Sequence, residues 1–270
     1  MVKRLFKHEI LYYLRTLLPV QAVLLGIALL GRFVQFFETD STSYKIVFWS
    51  SVVMFIISVI ACILMSVAIG VVRFYKNLFT AEGYLTFTLP VTPTQHILVK
   101  VCTAVLFQII SLAAVLLSVC MITAGDVLSE IIKAAAYLLK FAMENVAGGH
   151  IVLYIIEMVI LFIAAFFSQY LLYYFCISVG QLFRKNRILA AVGVYFGYYM
   201  ITQAIGTILT VSGTVFYNIL PLEPIAQLMS LHPYESIHIF IGLMILLSFV
   251  ICAVFFFIIR FIISRKLNLE

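Results

Sequence analysis

Long apolar runs alternate with short polar breaks along the whole chain. Six runs reach the roughly 20 residues that a helix needs to cross a hydrocarbon core. They fall at about 17–37, 46–70, 97–123, 150–178, 189–211 and 236–261. A backbone in lipid must satisfy its own amides and carbonyls, which leaves the helix as the form for runs of this length. The pattern predicts an all-α membrane protein with six transmembrane helices, read as a single domain over residues 1–270.

The polar breaks carry further signals. Across the first sixteen residues, Leu5, Phe6, Ile10 and Tyr13 fall toward one helical face and Lys3, Lys7 and Glu9 toward others. Such a segment predicts an amphipathic helix lying in the membrane interface. It runs straight into the first apolar run, so it reads as retained and not as a cleaved signal. Pro19 fits the opening of the first span, where its missing N–H matters least. Further along, Asp126, Glu130, Lys133, Tyr137, Lys140 and Glu144 form a polar stripe at helical spacing. That predicts a helix on or dipping into the outer leaflet, or a continuation of the third span, closed by Gly148 and Gly149. Residues 212–236 stay apolar, lack lysine and arginine, and hold Pro221, Pro224 and Pro233. A solvated loop would be more polar, so short helical pieces re-entering the outer leaflet are expected before the last span.

Composition sharpens this picture. The 270 residues are 65% hydrophobic and 10% charged, where soluble domains carry about a quarter charged residues. Mean hydropathy is +1.19. Of the 17 lysines and arginines, all but Arg32, Lys45, Lys133 and Lys140 fall on one set of ends. By the positive-inside rule, both termini, the connection 71–96 and the turn 181–187 face the cytoplasm. The net charge of +6 belongs mostly to this belt, so it is not read as a nucleic-acid surface.

One inner connection is unusual. The stretch RFYKNLFTAEGYLTFTLPVTPTQHILVK, residues 73–100, carries Arg73, Phe74, Tyr75, Lys76, Asn77, Leu78, Glu82, Gly83, Tyr84 and Lys100. Its aromatics serve either as interfacial anchors of a solvated loop or as a docking surface for another protein. Its pattern predicts a helical piece, a break at Glu82–Gly83, an extended Pro-containing strip and a new helix. Thr94 is the expected cap of that helix, with Pro93 ending the strip.

The same stretch resembles the region after the second span of type-2 ABC exporter permeases. It is most similar to the small six-span subunits of Gram-positive, clostridial-type bacteria. The strong likeness covers about thirty residues, and the six-span plan extends it loosely over the chain. The resemblance implies a coupling helix at Arg73 to Leu78, followed by Glu82, Gly83 and Tyr84, that docks on a cytoplasmic ATPase. It implies a second, smaller contact at Arg184 and Lys185, and a connecting helix over Lys3 to Leu14. The chain has no GxxxxGK[ST] phosphate loop. The resemblance therefore implies that ATP and Mg are bound by a separate ABC ATPase subunit in two copies. It also implies a second permease copy or homologue, a multi-pass location in a bacterial plasma membrane, and export of a peptide, lipid-like or drug-like substrate.

Within the spans, ionisable and amide groups are the functional candidates. Glu157, Gln108, Gln169 and Arg32 are candidates for the translocation path, with Glu157 either paired with Arg32, facing an outer cavity or reaching the headgroups. Gln21, Gln108, Gln169 and Gln203 are equally suited to helix–helix hydrogen bonds. Gly193 and Gly197 form a GxxxG that predicts close helix contact. Cys62, Cys102, Cys120, Cys176 and Cys252 lie in apolar runs without metal spacing and read as packing residues. HExxH and GxSxG are missing, so an enzyme is not expected. A secondary transporter, or a non-transport assembly or sensor subunit, remains the alternative to an exporter.

Overall fold

Seven helices account for nearly all of the described residues. The computed structural model describes residues 2–37, 39–80, 83, 91–145, 148–183, 185–219, 231 and 233–265. The helices are α1 (Val2–Gln35), α2 (Thr42–Phe79), α3 (Pro93–Ile122), α4 (Asp126–Asn145), α5 (Gly148–Gly180), α6 (Arg187–Ile219) and α7 (Pro233–Arg265). All but α4 are long and apolar enough to cross a membrane. The chain is an all-helical multi-pass membrane protein, and no strand occurs among the described residues.

The chain divides into two compact units, Met1–Ala147 and Gly148–Glu270. In the first, α1, α2 and α3 pack on one another. The buried face of α1 is a stripe of Glu9, Tyr13, Leu17, Leu24, Ala28 and Gly31, spaced at three, four or seven as a helical face requires. Leu24, Ala28, Phe55, Cys62, Val115 and Ile122 form one apolar core. Tyr13 stacks on Phe107 with ring centroids 5.0 Å apart. Side-chain bonds cross this bundle within its membrane-spanning part: Gln21 Nε2 donates to Ser111 Oγ at 3.0 Å, and Ser66 Oγ donates to Gln108 Oε1. In the second unit α5 packs on α6 and α7. Phe175 stacks on Phe255 at 5.0 Å, and Tyr170, Tyr174 and Ile259 are buried. Many large apolar side chains remain exposed, among them Leu29, Ile57, Ile163, Leu209 and Phe257. A surface this greasy is untenable in water and is the one a lipid environment covers.

Several local expectations change. The amphipathic lead-in and the first span are one helix. Pro19 therefore lies inside α1, where the Arg15 carbonyl loses its i+4 donor. Glu9 lies on the buried face with Tyr13, not on a polar side. The cap of α3 is Thr92, not Thr94. Its hydroxyl accepts from the Gln95 amide and the Gln95 side chain accepts from the Thr92 amide, a reciprocal capping box. Pro93 takes the first helical position, where a proline costs no hydrogen bond.

α4 is a separate helix and not an extension of α3. The chain turns at Thr123–Gly125, and Gly125 takes a φ of +110°, open to glycine at little cost. From Ser129 to Phe141 every side chain of α4 is exposed. Lys140 lies 3.8 Å from Glu144 on its polar stripe. Gly148 opens α5 instead of closing α4. Of the segment expected to re-enter the membrane, residues 220–230 and 232 lie outside the described residues.

The GxxxG expectation also changes. A Cβ built on Gly193 or Gly197 would meet nothing within 4 Å, so neither glycine supports a close helix contact within the unit. The close approach occurs at Gly180 instead. A Cβ there would lie 2.7 Å from Ala191 Cβ and 2.8 Å from both the Ala191 amide and the Arg187 carbonyl. Cys62 and Cys176 are buried packing residues, whereas Cys120 is exposed.

Candidate functional site

The conspicuous polar feature of the first unit grows from the length of α2. Its 38 residues extend about 57 Å at 1.5 Å per residue, against a hydrocarbon core of about 30 Å. The helix cannot end with the apolar run, and Arg73 to Phe79 form its last turns. The segment expected as an inner loop is thus helical at both edges: residues 71–79 belong to α2 and 93–96 to the first turn of α3. After Thr80 the chain bends back, with the Gly83 amide donating to the Thr80 carbonyl at 2.7 Å.

Glu9 ties these ends together. Its Oε1 accepts from Lys100 Nζ at 3.0 Å and from Asn77 Nδ2 at 3.2 Å. Its Oε2 accepts from Arg73 Nε at 3.2 Å. One carboxylate from α1 therefore binds two donors on α2 and one on α3. The Glu9 and Lys100 side chains are each 3% exposed, and Arg73 is 21% exposed. The Arg73 guanidinium also lies over the Tyr12 ring, 3.9 Å from its centroid, a cation–π arrangement. Burying charges carries several kcal/mol of desolvation per ion. The cluster is therefore poor value as a stabiliser and well suited to fixing the mutual register of three helices.

The residues implied as ATPase-docking divide by orientation. Phe74 and Leu78 are fully buried and Asn77 nearly so; their side chains brace α2. Arg73 is held by Glu9. Tyr75 is half-buried beside Phe79, and Lys76 is exposed. Gly83 forms the turn. Glu82, Tyr84 and Arg184 lie outside the described residues. Lys185 is exposed in the turn between α5 and α6. That turn passes through Asn186 at a φ of 54°, and its carbonyl accepts from the Ala190 amide at 2.9 Å.

The path candidates are not gathered in one place. Gln108 bonds Ser66 inside the first bundle. Arg32 donates to Gln35 on its own helix at 2.8 Å and lies over the Phe36 ring. Gln169 is exposed and bonds Tyr173 one turn away. Glu157 takes a partner of its own unit, His238, whose Nδ1 lies 2.9 Å from Glu157 Oε2. Among the described residues no group of three or more His, Cys, Asp or Glu side chains is arranged to hold a metal ion.

No protein-family model matches the chain, and neither curated proteins nor solved structures provide a match.

Sequence reasoning missed Glu9 and His238. Glu9 had a signal: it is the only acidic residue among the first 37 and sits four and eight residues before Tyr13 and Leu17, on their face. His238 had none, because its partners on α5 are distant in sequence.

Proposed function

We propose that this chain is the transmembrane subunit of an ATP-driven ABC exporter whose ATPase is a separate polypeptide. The observation that supports this reading most is the Glu9 clasp. A permease driven from outside needs a lever that is stiff and continuous with its spans. The end of α2 is such a piece: an unbroken extension of a span, fixed to α1 and α3 through Glu9. A force applied at Tyr75 and Lys76 would reach three helices at once.

In this reading the clasp end faces the cytoplasm, as the basic belt of Lys3, Arg4, Lys7, Arg73, Lys76 and Lys100 favours. Tyr75, Lys76 and the turn at Gly83 meet the ATPase, with Glu82 and Tyr84 following, and Lys185 belongs to a second contact. Phe74, Asn77 and Leu78 keep α2 rigid instead of touching the partner. Closure of two ATPase subunits on ATP would displace the lever, provided the subunits bind it differently in their two states. The transmembrane pathway then needs a second permease copy or homologue in a bacterial plasma membrane. The cargo class is a peptide, a lipid-like or a drug-like molecule, by analogy with the resembled family.

The test is turnover in the assembled complex reconstituted in liposomes. Tyr75→Asp with Lys76→Asp should abolish substrate-stimulated ATP hydrolysis while insertion and folding persist. Stimulated hydrolysis at the unaltered rate in that variant would remove the lever from the mechanism.

A further inference from the structure

The second unit holds a polar cluster that the export reading does not use. It joins the first turns of α5 and α7. His150 Nδ1 lies 3.0 Å from His238 Nε2. On its other side, His238 Nδ1 lies 3.0 and 2.9 Å from the two oxygens of Glu157. Tyr154 stacks on His238 with centroids 4.1 Å apart, and its hydroxyl donates to the Tyr234 carbonyl at 2.9 Å. Tyr234 in turn stacks on His150 at 5.3 Å. The His238 and Glu157 side chains are 13% and 16% exposed, so the cluster is mostly enclosed.

We propose that His150, His238 and Glu157 form a proton-operated latch that holds the start of α5 against the start of α7. The argument is one of hydrogen counting. A gap of 3.0 Å between two ring nitrogens accommodates one hydrogen, donated by one ring and accepted by the other. With both rings neutral, His238 donates from Nδ1 to Glu157 and accepts at Nε2 from His150. One added proton changes the roles without breaking a bond. His238, now an imidazolium, donates from Nδ1 to the carboxylate and from Nε2 to His150 Nδ1, while His150 carries its hydrogen on Nε2. The charged bond to Glu157 is the stronger kind, so the first proton tightens the latch. A second proton leaves both rings cationic with two N–H groups facing across one gap. The rings, stacked 5.2 Å apart, then repel, and His150 must leave, carrying the first turn of α5 away from α7 while Glu157, two turns further along α5, stays bonded to His238.

The charged and titratable groups around the pair fit this account. On α5 they are Glu157 and Tyr154. On α7 they are Tyr234 and Glu235. α6, which packs on α5, has Arg187 as its one charged residue, at its opposite end beside Gly180. Glu157 bonds the pair through His238 Nδ1, and one carboxylate offsets one imidazolium but not two. Histidine is the side chain whose ordinary titration falls between about pH 5 and 8, which sets the range over which the latch is tested. The latch rests on the geometry of this unit alone. Only its placement on the outer face rests on the export reading.

The test uses the full chain in lipid nanodiscs, where both faces meet the buffer and no ATPase is needed. Spin labels on cysteines at Val152 and Ile239, both well exposed, report the separation of α5 and α7 in a background freed of native cysteines. From about pH 8 to about pH 5 the label distance should lengthen in the chain with native histidines. In His150→Gln, which can bond His238 but takes no proton, it should stay short throughout. In Glu157→Gln, which lacks the offsetting charge, opening should begin at higher pH. Because the unsubstituted latch is itself measured, misfolding of either variant does not decide the outcome. An unchanged distance across this range with all three residues present, or identical opening in His150→Gln, would overturn the proposal.

Discussion

Lys100 Nζ lies 3.0 Å from Glu9 Oε1 with both side chains 3% exposed. A charge pair buried this deeply behaves asymmetrically: removing one partner costs more than the pair is worth. Glu9→Leu leaves Lys100 and Arg73 without their anion and should destabilise the first unit by about 3–5 kcal/mol. Lys100→Met should cost less, because Arg73 still neutralises Glu9. Combining Glu9→Leu with Lys100→Met should recover most of the loss, since the partly exposed Arg73 can turn to solvent. Unfolding titrations in mild detergent provide the check. Equal losses for both single variants, with no recovery in the double, would show that Glu9 acts through something other than this pair.

The tight corner at Gly180 predicts a contrast between glycines. Gly180→Ala forces a Cβ against the Ala191 amide and the Arg187 carbonyl, and backbone cannot step aside as a side-chain end can. Overpacking of this kind costs about 1–3 kcal/mol, so the melting temperature of the purified protein should fall. Gly193→Ala and Gly197→Ala meet open space and should leave it unchanged or raise it slightly. A melting temperature insensitive to Gly180→Ala would contradict the corner geometry.

The buried bond between Ser66 and Gln108 predicts a small effect. Interhelical side-chain bonds in membranes average about 0.6 kcal/mol. Gln108→Leu should therefore lower unfolding stability by no more than about 1 kcal/mol while leaving transport intact. Loss of transport at normal stability would place Gln108 on the substrate's route instead.

The sequence made the spans legible because twenty apolar residues in a row have one stable form in lipid. It made α4 legible as a helix because six polar residues recur at helical spacing from Asp126 to Glu144. What it hid depended on partners. α2 continues past its apolar run to Phe79 because α1 and α3 hold its last turns. Glu9 carries a charge and so reads as solvent-facing, yet it lies among buried positions because Arg73, Asn77 and Lys100 meet it from other helices. Thr92 rather than Thr94 caps α3 because Gln95, not Ile97, completes the reciprocal bond. The residues at 73–78 were legible as a group, but which of them faces outward was settled by α1 and α3: Phe74, Asn77 and Leu78 turn in, and Lys76 turns out.

The most direct measurement of the central claim is affinity purification of the chain from its native membrane, with its companions identified by mass spectrometry. A nucleotide-binding subunit carrying a GxxxxGK[ST] loop should co-elute at a fixed ratio, and should be lost from the Tyr75→Asp, Lys76→Asp variant while the chain itself is still recovered. Recovery of the folded, unsubstituted chain with no nucleotide-binding subunit bound would contradict the claim that it is driven by ATP.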